Sequence, residues 1–208
     1  RRAAFEWNWL EKPPFVRLYR ERRRRVRWLQ PEQAARLLDE LPQHQVHAML
    51  FALATGLRQG NVVGLKWEQV DLKRRTAWLF GDQTKNEEDL HVSLNDAAMS
   101  VLYARRWIHR EYVFTFQGNP IKRLTTRAWY KALKRANIDN FRWHDLRHTW
   151  ASWLVQGGVP LYALQEMGGW KSSVMVRRYA HLSPAHNLKH AQVIDKNLMI
   201  VSQGSNKD

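Results

Sequence analysis

The pentapeptide HDLRH, residues 144–148, sets two histidines four positions apart with an arginine just before the second. On a helix such positions share a face, so His144 and His148 would stand together. The spacing is that of a zinc site of the H-E-x-x-H type. Here, however, the residue after the first histidine is Asp145, shorter than glutamate, and no third ligand is obvious downstream. The expectation is no metal site. His144 and Arg147, three positions apart, make a different pair: a proton donor or acceptor beside a phosphate clamp. His148 reads as a residue that packs or hydrogen-bonds in the core.

Other residues could join this pair. Arg58 follows the Thr55-Gly56 turn at the end of an apolar segment, so it projects from a rigid base. With Arg147 it could form a convergent pair. Lys85 sits in TKNEE, at the tip or edge of an expected hairpin. Trp170 and Tyr179 stand nine apart in GGWKSSVMVRRYAHL. Taken singly, each has an ordinary reading: a surface arginine, a solvated lysine, two core aromatics.

The elements that must position these residues are mostly helical. PEQAARLLDELP has proline at a first helical position and another past its end. HQVHAMLFALATGL is apolar on most sides and reads as a buried helix. RQGNVVGLKWEQV reads as a short helix, while TAWLF (76–80) and LHVSL (90–94) alternate as strands of a hairpin. DAAMSVLYARRWIH, TTRAWYKALKRA and HDLRHTWASWLVQ return to helix, the last ended by Gly157 and Gly158. YVFTF is a short extended stretch before a turn at QGNP, and PLYALQEM and SVMVRRYAHL are shorter helices. Another helix is expected at Ser183-Pro184, a strand at NLMIVS and a disordered end at QGSNKD. The count is helix-rich with one small antiparallel sheet, an α+β pattern.

Charge is the strongest global property. The 208 residues carry 34 Lys and Arg against 19 Asp and Glu, a net +15. Such an excess points to a polyanion, foremost nucleic acid. Residues 1–28 hold ten basic and three acidic residues, including the run Arg22, Arg23, Arg24 and Arg25. That run reads as a basic linker available to a phosphate backbone, and Arg177 and Arg178 are further candidate DNA contacts. With no cysteine, disulfides, thiolate metal sites and cysteine nucleophiles are excluded. Neither a phosphate-binding glycine loop nor a G-x-S-x-G elbow is present. Mean hydropathy is −0.59, no apolar run could span a membrane, and no secretory pattern opens the chain, which fits a cytoplasmic protein.

Arg58, Lys85, His144, Arg147, Trp170 and Tyr179 together make the chain resemble the tyrosine recombinases, the phage-integrase family. The resemblance covers residues 29–182 and rests on four motifs in order: TGLRQGNVVGLKWEQVDL, TKN…HVSL, HDLRHTWASWLVQGG and GGWKSSVMVRRYAHL. It implies a DNA breaking-rejoining fold and a site-specific recombinase that integrates or excises a prophage or mobile element. Tyr179 would attack the scissile phosphate, giving a 3′-phosphotyrosine and a free 5′-hydroxyl, and a second 5′-hydroxyl would then religate. Arg58 and Arg147 would bind the non-bridging oxygens, and Lys85 would protonate the leaving oxygen. His144 would assist proton transfer at the tyrosine or hydrogen-bond the phosphate, and Trp170 would bind a phosphate oxygen or pack the tyrosine helix. No cofactor, ATP or metal is implied. The implied partners are double-stranded DNA, a homo-tetramer on DNA that is monomeric when isolated, and accessory DNA-bending or directionality proteins. Resolvase or invertase activity, or a catalytically idle DNA-binding protein on the same fold, are the alternatives.

Two departures stand out. Where family members often carry an acid three residues after the first arginine, this chain has Asn61. Residues 1–28 read as only the last helix and linker of an upstream DNA-binding domain, so a fragment of a longer protein is expected. Residues 183–208 read as a tail able to dock on a neighbouring subunit.

Overall fold

The computed structural model describes residues 26–83 and 88–182, with 5–9, 11, 12, 15, 191, 192, 194 and 195. The start of the helix expected at Ser183-Pro184, the expected strand NLMIVS, most of the basic linker and the tip of the hairpin lie outside the described residues.

Helix α1, Pro31–Glu40, starts where the sequence places a proline at its first position, and Gln33 Oε1 accepts from the Gln30 N–H at 3.0 Å. α2, Gln43–Thr55, is apolar nearly all round and becomes the central helix; Ala48, Met49, Phe51 and Ala52 are fully buried. It stops at Gly56, whose φ of +69° is left-handed and whose N–H caps the Ala52 carbonyl at 2.9 Å. α3, Gln59–Val63, follows after two residues. Strands β1 (Val70–Asp71), β2 (Thr76–Leu79) and β3 (Leu90–Ser93) form an antiparallel sheet in chain order. Ala77 opposite Val92 gives this sheet its buried face. β1 is a strand that the sequence reading did not expect; it has only two residues, too few for an alternation to show.

α4, Asp96–Arg105, is capped by Asn95, whose side chain accepts from the Ala98 N–H at 2.9 Å. It packs on α2. The YVFTF stretch contributes β4 (Thr115–Phe116), which turns at Gln117-Gly118 into β5 (Asn119–Pro120), a second small sheet. Buried Arg105 fastens this segment by donating to the Val113 and Thr115 carbonyls at 3.1 and 2.9 Å. α5 (Arg127–Arg135), α6 (Asp145–Gln156) and α7 (Leu161–Gly168) lie where the sequence places helices. The SVMVRRYAHL segment instead divides into α8, Ser173–Arg177, and a 3-10 turn, Ala180–Leu182, with Tyr179 between them.

Two apolar clusters result. The larger joins α1, α2, the first sheet, α4 and α5. The smaller gathers Trp150, Ala151, Val155, Leu164, Val176 and Tyr179, with Trp170 and Leu182 against it. The chain entering the domain is pinned to α6: the Leu29 N–H donates to Thr149 Oγ1 at 3.1 Å, and the Trp153 indole donates to the Leu29 carbonyl at 2.9 Å.

Gly56 marks the contact between α2 and α6. A Cβ there would fall 2.4 Å from the Trp150 ring, on a backbone that side chains rarely adopt. Gly60→Ala adds a Cβ that meets nothing within 4 Å. Gly56→Ala should therefore cost about 2 kcal/mol or more through strain and overpacking. Gly60→Ala should be neutral or stabilising by a few tenths to about 1 kcal/mol. Urea denaturation of both variants tests the contrast.

Candidate active site

The first turns of α6 carry three of the side chains singled out above. Asp145 starts the helix: its buried carboxylate accepts from the Arg142 backbone N–H at 2.8 Å and from the Arg142 guanidinium at 3.0 Å. Successive helical residues point about 100° apart, so Arg147 and His148 reach different neighbours.

Arg147 turns inward and is 3% exposed. Its Nη1 donates to the Gly56 carbonyl at 2.7 Å and its Nη2 donates to the Gly168 carbonyl. The Trp170 ring lies against the guanidinium, 4.1 Å from centroid to Cζ. Loss of water pushes the Arg147 pKa down to about 10, and the Arg58 charge adds to the effect. It stays a cation at neutral pH. Arg58 precedes α3, two residues beyond the carbonyl that Arg147 holds, and burial also lowers its pKa. The structure thus brings together the two arginines that lie 89 positions apart in the chain.

Tyr179 is 1% exposed. Its ring lies 6.2 Å from Trp170, which lies 6.1 Å from Trp150. The glycine preceding this stack is again necessary: a Cβ on Gly168 would fall 2.1 Å from the Trp170 ring. Burial pushes the phenol pKa up to about 12, against the pull of the Arg178 and Arg147 charges. The phenol is neutral at rest.

His148 Nδ1 stands 2.5 Å from the Tyr179 hydroxyl. His148 thus makes a hydrogen bond in the core, one of its two expected roles, but its pairing with Tyr179 carries no signal in the sequence. Burial, then the neighbouring His144, pushes its pKa down to about 4. His144 itself immediately precedes α6 with an exposed side chain, its ring edge-on to His148 at 5.1 Å between centroids. Partial loss of water and the Arg147 charge lower its pKa, opposed by Asp145. The described side chains therefore place His148, not His144, at the phenol. The i,i+4 spacing announced that the two histidines share a face; nothing local announced which would meet Tyr179.

Lys85 and Arg22–Arg25 lie outside the described residues. The hairpin that carries Lys85 is fixed at its root: Glu88 pairs with Lys171 at 2.9 Å, and Leu90 packs on Gly169. Asn61 is buried on α3. Arg177 and Arg178 are exposed beside Tyr179. A cleft of about 730 Å³, lined by Arg27, Lys134, Arg142, His148 and Arg178 among others, opens next to the site. Among the described residues no group of three or more His, Asp or Glu side chains could hold a metal ion, and no helix is long and apolar enough to cross a membrane. The arrangement can hold an anion between the guanidinium groups of Arg58 and Arg147, close to a phenol paired with an imidazole that is neutral at pH 7.

The profile of the phage integrase family matches residues 27–186. The chain belongs to that family. It is 45% identical to the integrase of Salmonella phage P22, over 94% of this chain and 54% of that protein. The chain thus spans about half the length of this relative. The fold is that of the catalytic domain of bacteriophage HP1 integrase, with a TM-score of 0.62 at 23% identity over 80% of this chain and 94% of that one. The Tn1549 transposon integrase, solved in complex with a circular intermediate DNA, matches with a TM-score of 0.63 at 19% identity over 75% of this chain and 62% of that one. This family thus has, in the present chain, a site with Arg147, Trp170, Tyr179 and His148 in one contiguous set of contacts.

The depressed His148 pKa makes stability depend on pH. Its folded pKa of about 4 lies below the ordinary 6.5. The unfolded chain therefore binds a proton as pH falls below 6.5, while the folded chain does not until about 4. Stability should fall over that window by up to about 2 kcal/mol between pH 7 and pH 5. His148→Gln should show less of this loss in urea titrations at the two pH values.

Proposed function

We propose that this chain is the catalytic part of a site-specific DNA recombinase, an integrase of phage or mobile-element type, acting on double-stranded DNA in the cytoplasm. The observation that carries this reading is the continuous set of contacts from Arg147 through Trp170 to the Tyr179 ring, whose hydroxyl pairs with His148. It joins an anion clamp to a nucleophile through the single ring of Trp170. The identity to the P22 integrase over 94% of the chain supports integration rather than resolution or inversion.

In the proposed reaction Arg58 and Arg147 hold the non-bridging oxygens of the scissile phosphate. Negative charge gathers on those oxygens in the pentacoordinate transition state, so fixed guanidinium groups stabilise it more than the ground state. Arg147 suits this role because its inner donors are already committed to two carbonyls, which fixes the direction of the rest. Tyr179 Oη attacks phosphorus, the 5′-oxygen leaves with a proton from Lys85, and a 3′-phosphotyrosine remains. His144, exposed at the head of α6, hydrogen-bonds the phosphate. The covalent bond conserves the energy of the phosphodiester, so religation needs no ATP. Arg177, Arg178 and the run Arg22–Arg25 contact the DNA backbone, and the active assembly is a tetramer on paired sites. Residues 1–28 form the end of a DNA-binding domain and a basic linker, and residues 183–208 dock on a neighbouring subunit.

A nicked duplex carrying the cleavage site traps the intermediate, because the short strand beyond the cut diffuses away. The chain should form a covalent adduct at the 3′ side of the break, seen on a denaturing gel and undiminished by a chelator. Tyr179→Phe should abolish the adduct and leave DNA binding within a few-fold. An adduct on the 5′ end, or one that persists in Tyr179→Phe, would contradict the assignment.

A further inference from the structure

The phenol of Tyr179 must lose a proton as its oxygen bonds to phosphorus. Among the described residues its hydroxyl has one hydrogen-bond partner, His148 Nδ1 at 2.5 Å. We propose that His148 is a catalytic residue, the acceptor of the Tyr179 proton in cleavage and its donor in religation. The proposal rests on the reading of Tyr179 as nucleophile given above.

Three observations support it. First, geometry separates the roles of the two histidines. The His148 ring faces the Tyr179 ring at 6.0 Å between centroids, whereas His144 stands exposed on the outer side of His148. Second, His148 rests in the neutral form that can accept, because burial and the charges of Arg178 and Arg142 disfavour the imidazolium. A neutral imidazole has one N–H; with Nδ1 accepting from the phenol, the proton lies on Nε2. Third, the product of proton transfer has a counter-charge in place. The groups facing His148 are His144, Asp145, Arg142, Arg178 and Tyr179 itself, and of these the buried Asp145 carboxylate favours the imidazolium. A phosphate bound by the two arginines adds further negative charge beside it.

The step balances. The Oη–P bond forms while the Oη proton moves to Nδ1, and the P–O5′ bond breaks while the 5′-oxygen takes a proton from Lys85. In religation a 5′-hydroxyl attacks phosphorus and gives its proton back to Lys85, while the Oη–P bond breaks and the imidazolium returns its proton to the departing phenol oxygen.

A purely structural hydrogen bond would also satisfy a buried phenol, so the test must read the chemistry at that oxygen. Cleavage sites are first captured from a random-sequence nicked duplex pool by covalent adduct formation with the wild-type chain, and Tyr179→Phe serves as the control. On that duplex His148→Ala should form adduct about a hundredfold or more slowly, as expected for loss of a general base, with DNA retention unchanged. His148→Gln, which can accept a hydrogen bond but not a proton, should be slow as well. A bridging 5′-sulfur, a leaving group that needs no proton, should not rescue either variant. A strand ending in a 3′-p-nitrophenyl phosphate, whose phenolate leaves unprotonated, should be joined to a 5′-hydroxyl strand equally well by Tyr179→Phe and by Tyr179→Phe/His148→Ala. Cleavage by His148→Ala within a few-fold of wild type overturns the proposal, as does full activity of His148→Gln, rescue by the 5′-sulfur, or loss of joining in the double variant. Failure of His148→Ala alone to fold is distinguished by its circular dichroism, and His148→Gln then carries the test. An adduct persisting in Tyr179→Phe overturns instead the nucleophile assignment beneath the proposal.

Discussion

A guanidinium held out of water between two backbone carbonyls is the constraint on which this site depends. Arg147 ties the end of α2, at Gly56, to the end of α7, at Gly168, and offers its face to Trp170. A buried cation is tolerated only when its donors are satisfied, so both turns must come to it. Both carbonyls belong to glycines because tryptophan rings occupy the space where a Cβ would be, Trp150 at Gly56 and Trp170 at Gly168. Arg58 is then carried into the site by its position two residues after the first of these turns. Tyr179 is carried in by packing on the tryptophan that follows the second.

The electrostatic state that results is poised rather than charged. Desolvation opposes the phenolate of Tyr179 and the imidazoliums of His144 and His148, and it weakens, without abolishing, the charge of Arg147. The cations thus face neutral acid-base groups. In the proposed reaction a phosphodiester would supply the missing negative charge and exclude further water, which would strengthen its own contacts with the arginines. Tyr179, the proposed nucleophile, is packed into the smaller core cluster, so the proposed reactivity and folding draw on the same side chain.

Much of this could be read from the amino-acid sequence because the signals are local. Proline at position 31 and glycines at 56 and 157 punctuate helices, and alternation marks β2 and β3. The candidate residues Arg58, Arg147, Trp170 and Tyr179 stand out through their ordered motifs, and the structure brings them close together. What stayed hidden depends on approach from a distance. The pairing of His148 with Tyr179 joins residues 31 apart through the fold of α7 and α8, and helical spacing alone treats His144 and His148 alike. The carbonyl acceptors of Arg147 carry no side-chain signature at all. The division of the tyrosine segment into α8 and a 3-10 turn was equally unreadable, since an apolar residue such as Val176 fits either.

The pinning of Leu29 has a mechanical side. Its N–H and its carbonyl are both engaged by side chains of α6, and one of these, Thr149, is the neighbour of His148 in the chain. Leu29 is therefore less a tether than a point of load entry. A pull on the polypeptide ahead of it is delivered directly to the helix bearing His148 and Arg147, instead of being spent in stretching a slack connection.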